Sequence, residues 1–299
     1  MSARASDIAA PAEAAAIRRE PRFSWLWQLL SDPLGRLGLV LVLIIILSAI
    51  GADALAPYDY KALDIKARLE PPSWTHLMGT DNLGRDTFSR ILFGGRIALW
   101  VALAGVGSSL ILGLVLGMLA GYGPRWFDNL VLMFFDAVRS FPVIMFALAI
   151  ITVVGPSLET IIFVVVVTSV PGYGRIVRSS TLSIRNTEFI LAEQSLGAGM
   201  VRVLGQHVLP NVIAPLLILG SMDIPVVITL EAGLSFLGLG VKPPTPSWGS
   251  ILNDGFSFIR NTPWLVVAGG IPLIITTLGF TFLGESLRDV FDPKLKKDR

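Results

Sequence analysis

The chain has 299 residues, of which 53% are hydrophobic and 15% are charged, and its mean hydropathy is +0.69. This balance is typical of a polytopic membrane protein and excludes an ordinary soluble domain. The formal net charge of +2 gives no indication of nucleic-acid binding, and the absence of cysteine excludes disulfides, Cys-ligated metals and thiol catalysis.

Six apolar runs are long enough to cross a bilayer, which takes about 20 residues, and they predict an all-α polytopic membrane protein with six transmembrane helices. Pro142 in the third run and Pro171-Gly172 in the fourth predict bends, which neighbouring helices can tolerate. The runs are roughly 37–56, 97–121, 129–154, 158–178, 211–239 and 264–286. The predicted division is an arm (1–36), the first span, an extracytoplasmic loop (57–96), a core (97–286) containing segment 183–210, and a tail (287–299).

The distribution of Lys and Arg predicts the orientation, because cytoplasmic segments carry an excess of these residues. Placing both termini and segment 183–210 in the cytoplasm gives this excess. The cytoplasmic residues are then Arg4, Arg18, Arg19, Arg22, Arg36, Arg125, Arg175, Arg178, Arg185, Arg202, Arg288, Lys294, Lys296, Lys297 and Arg299, and those outside are Lys61, Lys66, Arg68, Arg85, Arg90, Arg96, Lys242 and Arg260. A cleaved secretory signal ending near Ala54 or Ala56 is the alternative for the N-terminal region.

The extracytoplasmic segments contain two features of interest. Residues 81–86 superficially resemble a calcium loop but lack the ligands of an EF-hand, so we interpret Thr80 or Asp81 as a turn and cap before a short helix. Residues 241–263 include an amphipathic stretch from Trp248 to Ile259, and we expect Trp248 and Trp264 at the membrane interface. His76 and His207 are predicted on opposite sides of the membrane, which disfavours a histidine metal site.

Small residues repeat at every fourth position along the second predicted span, at Ser109, Gly113, Gly117 and Gly121. Such a stripe allows another helix to approach closely. The sequence leaves open whether that helix belongs to this chain or to a partner.

Charged residues within spans are costly and usually face an interior or a water path. Asp136 and Arg139 are three residues apart, so we expect them to neutralise each other. Asp223 and Glu231 are about 80° apart around one helix and can face one cavity, next to Ser221, whose carbonyl is freed by Pro225. These five residues, Asp136, Arg139, Ser221, Asp223 and Glu231, are the candidate lining of a translocation pathway, with a structural role as the alternative for Glu231.

Segment 183–210 is polar but has the pattern of ordered helix. Asn186 is the predicted N-cap, and Glu188 lies in the first turn, where a negative charge is favoured. Phe189, Ala192 and Leu196 form an apolar stripe. Gly197 is the predicted left-handed residue that ends the helix. A second short helix is predicted over 198–206 and is expected to stop at Leu209-Pro210.

Segment 183–210 resembles the "EAA" signature of the permeases of binding-protein-dependent ABC importers. Ala192, Gly197, Leu209 and Pro210 match it, whereas Leu191, Glu193 and His207 depart from it. Residues 78–99, 230–252 and 284–295 resemble segments of the dipeptide/oligopeptide/nickel branch, and the resemblance covers roughly 35–295. It implies a type I ABC importer permease fold, with ATPase coupling through Glu188, Leu191, Ala192, Glu193, Gly197, Arg202, Leu209 and Pro210.

The resemblance also implies partners: a homologous second permease subunit in a heterodimer, two ATPase subunits and an extracytoplasmic solute-binding protein. The chain has no Gly-Lys pair and therefore no phosphate-binding P-loop, so ATP and Mg are expected on the ATPases and no cofactor on this chain. We expect a non-enzymatic permease in the bacterial cytoplasmic (inner) membrane, surrounded by lipid, for dipeptides or oligopeptides. The alternatives are a self-contained ion-coupled secondary transporter, and a membrane anchor that recruits an enzyme.

Overall fold

The computed structural model describes residues 24–291, and the predictions for 1–23 and 292–299, including the basic residues there, lie outside this range. The regular structure in the described range is helical, apart from one isolated bridge between Thr80 and Asp86. The helices are α1 (Ser24–Ser31), α2 (Pro33–Ile50), α3 (Ala52–Leu55), α4 (Thr87–Tyr122), α5 (Arg125–Arg139), α6 (Val143–Val154), α7 (Leu158–Arg185), α8 (Glu188–Ser195), α9 (Met200–Val203), α10 (Leu209–Phe236), α11 (Trp248–Ser257) and α12 (Trp264–Phe291).

The prediction of six spans agrees with the structure when α5 and α6 are taken as one broken span. Five helices in the described range are long and apolar enough to cross a membrane, and α5 with α6 passes the same test as a pair bent by 90°. The bend lies where it was predicted, because Pro142 is the N-cap of α6 and cannot donate a hydrogen bond to continue α5.

The first two spans begin earlier than predicted. Helix α2 starts at Pro33, where the Asp32 carboxylate accepts hydrogen bonds from the backbone N–H groups of Leu34 and Gly35. Helix α4 starts at Thr87, capped by Asp86 rather than by Thr80 or Asp81, and continues as one 36-residue helix. The short amphipathic helix predicted there is therefore the first part of α4, and residues 87–96 belong to α4 rather than to a loop.

The fourth run extends further than predicted, because α7 continues through Pro171 to Arg185. The prediction for Leu209-Pro210 is wrong. This pair does not stop a helix, because α9 passes through a π-helical turn (Leu204–Val208) directly into α10, and Met200–Phe236 forms one candidate span. Pro210 lies in the first turn of α10, where a missing N–H is tolerated.

The small-residue stripe of α4 packs against α7 of the same chain. A Cβ added at Gly113 would lie 2.6 Å from the Cβ of Tyr173, and one at Gly117 would lie 2.6 Å from the Gly174 carbonyl oxygen. Ser109 is fully buried. Of the two alternatives that the sequence left open, the structure supports packing within the chain.

A buried polar cluster connects the segment before α4 with α11. Arg85 Nε donates to Asp81 Oδ2 at 2.6 Å, and Arg85 Nη2 lies 3.8 Å from Asp254 Oδ2 on α11. Arg90 Nε is 3.4 Å from the same Asp81 oxygen. Burial raises the pKa of Asp254, and the neighbouring Arg90 opposes that shift. Arg85 and Arg90 were predicted in the extracytoplasmic loop 57–96, and their pairing with Asp81 lets all three residues be buried.

The expectation for Trp248 is also wrong. Its side chain is 1% exposed, and Nε1 donates to the Ile91 carbonyl at 3.0 Å. The ring packs against Gly94 and Gly95 of α4, so Trp248 anchors α11 within the protein. Trp264 is half exposed, as an interfacial residue would be.

Candidate functional site

Segment 183–210 begins at the end of α7. Asn186 is the C-cap of α7 rather than the N-cap of the next helix, and Thr187 takes the N-cap position of α8. The Thr187 hydroxyl donates to the Ile184 carbonyl at 2.7 Å, which ties the connection back onto α7. Glu188 is the first residue of α8, as predicted.

The glycine corner after α8 has the predicted geometry. Gly197 has φ +91°, its N–H donates to the Gln194 carbonyl at 2.9 Å, and the Ala198 N–H donates to the Glu193 carbonyl at 3.0 Å. These two hydrogen bonds form a Schellman motif, which ends the helix at a left-handed residue. The corner is therefore a defined structure and not a loose connection.

Two sets of contacts hold the corner in place. Glu193 Oε2 lies 2.7 Å from His207 Nε2, and the His207 ring packs edge-on against Phe189 with 5.6 Å between centroids. Gln194 Nε2 donates to the Tyr122 hydroxyl at 3.0 Å, and Arg185 Nη1 donates to the Tyr122 carbonyl at 3.1 Å. Helix α8 is thus fixed both to the following helix and to the end of α4.

The outer surface of this corner is apolar and exposed. Leu196 is 89% exposed and Val201 is 86% exposed, and Phe189 and Leu191 are each about half exposed. The predicted stripe of Phe189, Ala192 and Leu196 faces outward, whereas the fully buried residue of α8 is Ile190. Exposed apolar surface of this kind can contact protein or membrane.

The second half of the segment is joined rigidly to the fifth span. Val203 and Val208 are fully buried, and Val208 packs in one hydrophobic cluster with Tyr173 and Val177 of α7. Arg202 is exposed and its Nε donates to Gln206 Oε1 at 3.2 Å. Leu209 is partly buried and Pro210 is exposed. The segment therefore connects α7 to α10 without a flexible joint on the α10 side.

The expected pairing of Asp136 with Arg139 is wrong. Asp136 instead accepts a hydrogen bond from Arg175 on α7, and Arg178 donates two hydrogen bonds to Asp128. Helices α5 and α7 run side by side, so residues on different helices are nearer than the i+3 neighbour. Within the described residues, Arg139 has no ion pair.

The two carboxylates of α10 have different surroundings. Asp223 is partly buried and accepts a hydrogen bond from the Tyr173 hydroxyl. Glu231 is fully buried and accepts a hydrogen bond from Ser235 Oγ at 2.6 Å, so it does not face an open cavity. The Ser221 hydroxyl donates to the Ile218 carbonyl at 2.7 Å. Of the three candidate residues on α10, Ser221 and Asp223 are partly buried, whereas Glu231 is fully buried.

Sequence reasoning missed the aromatic residues that organise both places. Tyr122 anchors α8, and Tyr173 holds Asp223. Their signal was a hydroxyl-bearing ring within an apolar helix, because a buried tyrosine hydroxyl usually requires a hydrogen-bond partner. In the described part of the chain, no group of three or more His, Cys, Asp or Glu side chains is arranged to hold a metal ion.

Two family models match the chain. The model described as "Binding-protein-dependent transport system inner membrane component" matches residues 113–297. The model described as "N-terminal TM domain of oligopeptide transport permease C" matches residues 24–72. Together they cover the first span, segment 183–210 and the core from residue 113 onward, and they leave residues 73–112 unmatched.

Several curated proteins are similar over nearly their full length. A dipeptide transport system permease protein of Alkalihalophilus pseudofirmus is 40% identical, covering 90% of this chain and 88% of the relative. A di/tripeptide transport system permease protein of Pseudomonas aeruginosa is 36% identical, covering 90% and 91%. A glutathione transport system permease protein of Pectobacterium atrosepticum is 38% identical, covering 85% of each chain. A chain of the solved MetNI methionine ABC transporter is 20% identical, with a TM-score of 0.49 over 65% of this chain and 94% of that chain.

Proposed function

The chain belongs to the family of binding-protein-dependent transport system inner membrane components, and from this premise we propose that it imports dipeptides and oligopeptides. It is a permease subunit of an ATP-driven importer, located in the inner membrane, and it is a transport component rather than an enzyme. The peptide substrate is supported by relatives whose names specify dipeptides, di/tripeptides and glutathione. All of these solutes are small peptides.

The exposed apolar corner at Leu196 and Val201 carries the proposal for coupling. A second permease subunit completes the pathway, and two ATPase subunits bind ATP and Mg and contact segment 183–210 of this chain. What supports this contact is an exposed apolar surface on a segment whose geometry is fixed by a Schellman motif and by Tyr122. The proposed contact residues are Glu188, Leu191, Ala192, Glu193, Gly197, Arg202, Leu209 and Pro210.

The proposed mechanism is a mechanical displacement. When the ATPase dimer closes, it displaces α8 and the corner, and α7 and α10 follow because segment 183–210 joins them. The continuous helix from Met200 to Phe236 supports this transmission, since it contains no break that would absorb the motion. The translocation pathway then changes from inward to outward access, as alternating access requires.

The pathway lining is proposed around Asp223. Its carboxylate is partly buried, lies in the middle of α10, and is held by Tyr173, and a charge at such a position usually serves a function. A peptide's protonated amino terminus can pass such a group. Ser221, Asp136 and Arg139 are retained as candidates, and Glu231 is the least accessible of the five because it is fully buried.

We place both termini and segment 183–210 in the cytoplasm, and residues 57–86 and 237–263 outside, where a solute-binding protein can dock. The excess of Lys and Arg in the cytoplasmic segments supports this orientation. It also brings segment 183–210 to the side of the membrane where ATP is available.

A single-cysteine crosslinking experiment tests the proposal, and the cysteine-free chain suits it well. Leu196→Cys, at an 89% exposed position, should form crosslinks to an ATPase subunit in membranes that contain the assembled transporter. Ile65→Cys, 79% exposed in the segment before α4, is the matched control and should form none. Transport of a labelled dipeptide into proteoliposomes should require ATP. Intact uptake without any crosslink at residue 196, or uptake driven by an ion gradient alone, would contradict the assignment and favour a secondary transporter.

A further inference from the structure

A cavity of about 380 Å³ lies at the outer end of the first two spans, away from segment 183–210 and from Asp223. It is open to solvent and is lined by the chain that follows α3 and by one face of α4. Its charged lining is Asp53, Asp59 and Lys61, and its aromatic lining is Tyr58, Tyr60 and Phe93. A cavity that combines aromatic walls with a few charged groups is typical of a binding site for a small polar group.

The aromatic wall carries a cation at each end. Lys61 Nζ lies 5.2 Å from the centre of the Tyr60 ring, and Tyr60 packs on Phe93 with 4.5 Å between ring centroids. Arg96 Cζ lies 5.0 Å from the centre of the Phe93 ring. The two cations therefore lie over ring faces, and of the two only Lys61 belongs to the lining of the cavity.

Arg96 fixes the depth of the cavity relative to the membrane. Its Nε donates to the Ala49 carbonyl at 2.7 Å and its Nη2 donates to the Ile50 carbonyl at 2.9 Å, so it caps the last turn of α2. The same Nη2 donates to Asp53 Oδ2 at 2.7 Å. Because α2 is a candidate span that ends at Ile50, the cavity lies where the apolar span gives way to polar chain.

The surface directly inward from the cavity is apolar and exposed. Leu47 and Ile50 of α2 are 61% and 69% exposed, and Trp100 and Leu103 of α4 are 58% and 61% exposed. These residues lie within two helical turns of Arg96 on helices that cross the membrane, so acyl chains can cover them. The cavity is thus the polar continuation of a lipid-facing surface.

The charges of the cavity match a zwitterion. Asp53 is neutralised by Arg96, whereas Asp59 has no ion pair within residues 24–291 and accepts a hydrogen bond from the Lys61 backbone N–H at 2.9 Å. Asp59 can accept hydrogen bonds from a primary ammonium group, and Lys61 can neutralise a phosphate. An anionic headgroup without an ammonium would leave Asp59 facing a like charge.

We infer that this cavity binds the phosphoethanolamine headgroup of a phospholipid, with the ammonium on Asp59, the phosphate near Lys61 and the acyl chains along α2 and α4. The lipid would cover the apolar surface and hold the chain after α3 against α4. The site is separate from the transport pathway and from the ATPase contact, so it does not depend on the identity of the transported solute.

Native mass spectrometry of the assembled transporter tests the inference. The complex is reconstituted in nanodiscs with equal amounts of palmitoyl-oleoyl phosphatidylethanolamine and phosphatidylglycerol, and the retained lipids are counted. The wild type should retain the ethanolamine lipid about five-fold over the glycerol lipid, and Asp59→Asn should abolish the preference, since a charge-assisted hydrogen bond is lost at a partly exposed site.

Asp64→Asn is the matched control. Asp64 is also exposed and accepts a hydrogen bond from the backbone N–H two residues ahead, at 3.0 Å, but it does not line the cavity. This variant should keep the wild-type preference. Equal retention of both lipids by the wild type, or the same preference in Asp59→Asn as in Asp64→Asn, would overturn the inference. So would competition by glycerophosphoethanolamine as effective as that by the intact lipid, which would indicate a soluble amine as the ligand.

Discussion

The glycine corner allows a sharp test of mechanical coupling. Gly197 has φ +91°, and a Cβ added there meets no heavy atom within 4 Å. Gly197→Val therefore introduces no clash, and its effect comes from the backbone alone. A side chain in the left-handed region costs roughly 1–2 kcal/mol, and a β-branched residue is at the upper end of this range.

The strain can be relieved by abandoning the Schellman motif. The hydrogen bonds from Gly197 and Ala198 would then be lost, each of which contributes about 1 kcal/mol. These costs are similar, so the corner would divide between a strained native form and a relaxed form. A change of about 2 kcal/mol in the free-energy difference between the two forms corresponds to a roughly 30-fold change in their ratio. We expect Gly197→Val to fold normally but to present Leu196 and Val201 in the wrong orientation.

The assay is the number of dipeptides taken up per ATP hydrolysed in proteoliposomes. Gly197→Val should lower this ratio several-fold while ATP hydrolysis continues. Gly199→Val is the matched control, because Gly199 has an ordinary extended backbone (φ −76°, ψ 163°) and equally open space. If both variants give the same ratio, or if Gly197→Val transports with wild-type stoichiometry, the corner does not transmit the displacement.

Three further predictions concern stability. Gly117→Ala should lower the melting temperature of the purified transporter, because its Cβ would lie 2.6 Å from the Gly174 carbonyl oxygen and overpacking costs about 1–3 kcal/mol. The control is Gly107→Ala on the same helix, which has no neighbour within 4 Å and should leave the melting temperature unchanged or raise it. Equal effects of the two substitutions would contradict the close packing of α4 against α7. A double-mutant cycle with Asp128→Asn and Arg178→Gln should give a coupling of roughly 1 kcal/mol, larger than that of the more exposed pair Asp136 and Arg175; zero coupling in the first pair would refute the interhelical contact. Because burial raises the pKa of Asp254 above its ordinary value of 3.8, its ionisation destabilises the fold as pH rises through the raised pKa. Asp254→Asn should therefore gain melting temperature relative to wild type as the pH rises above about 4; a difference that is constant with pH would refute this.

Local patterns in the sequence predicted much of the fold, and long-range partners account for the differences. The apolar runs, the bend at Pro142 and the left-handed Gly197 depend on neighbouring residues only, and they are confirmed. The start of α4 was placed too late because Arg90 and Arg96 were assigned to the extracytoplasmic loop 57–96. Arg96 bonds to α2 carbonyls that are distant in sequence, and Arg90 pairs with Asp81 in the segment before α4. Hydropathy registers neither contact.

The candidate sites show the same limit. The exposed apolar surface of segment 183–210 was predicted as a stripe, although only the fold shows that Ile190 is its buried anchor. Asp223 and Glu231 are on one helix at similar positions in the pattern, but their surroundings differ because Tyr173 is near one and Ser235 is near the other. A helical wheel gives the direction of a side chain, and the neighbouring helix decides its partner.

The distribution of packing and breaks indicates which helices move together. Segment 183–210 is joined to α7 and α10, α7 is held to α4 by the glycine seam, and α5 is held to α7 by two interhelical ion pairs. Helix α6 lies beyond the 90° bend at residues 140–142, and its buried residues Ala147 and Ile151 pack in the same core cluster as residues of α4 and α7. A displacement of α8 should therefore move α4, α5, α7 and α10 as one body, because sliding α7 past α4 would drive side chains into the space of the glycines.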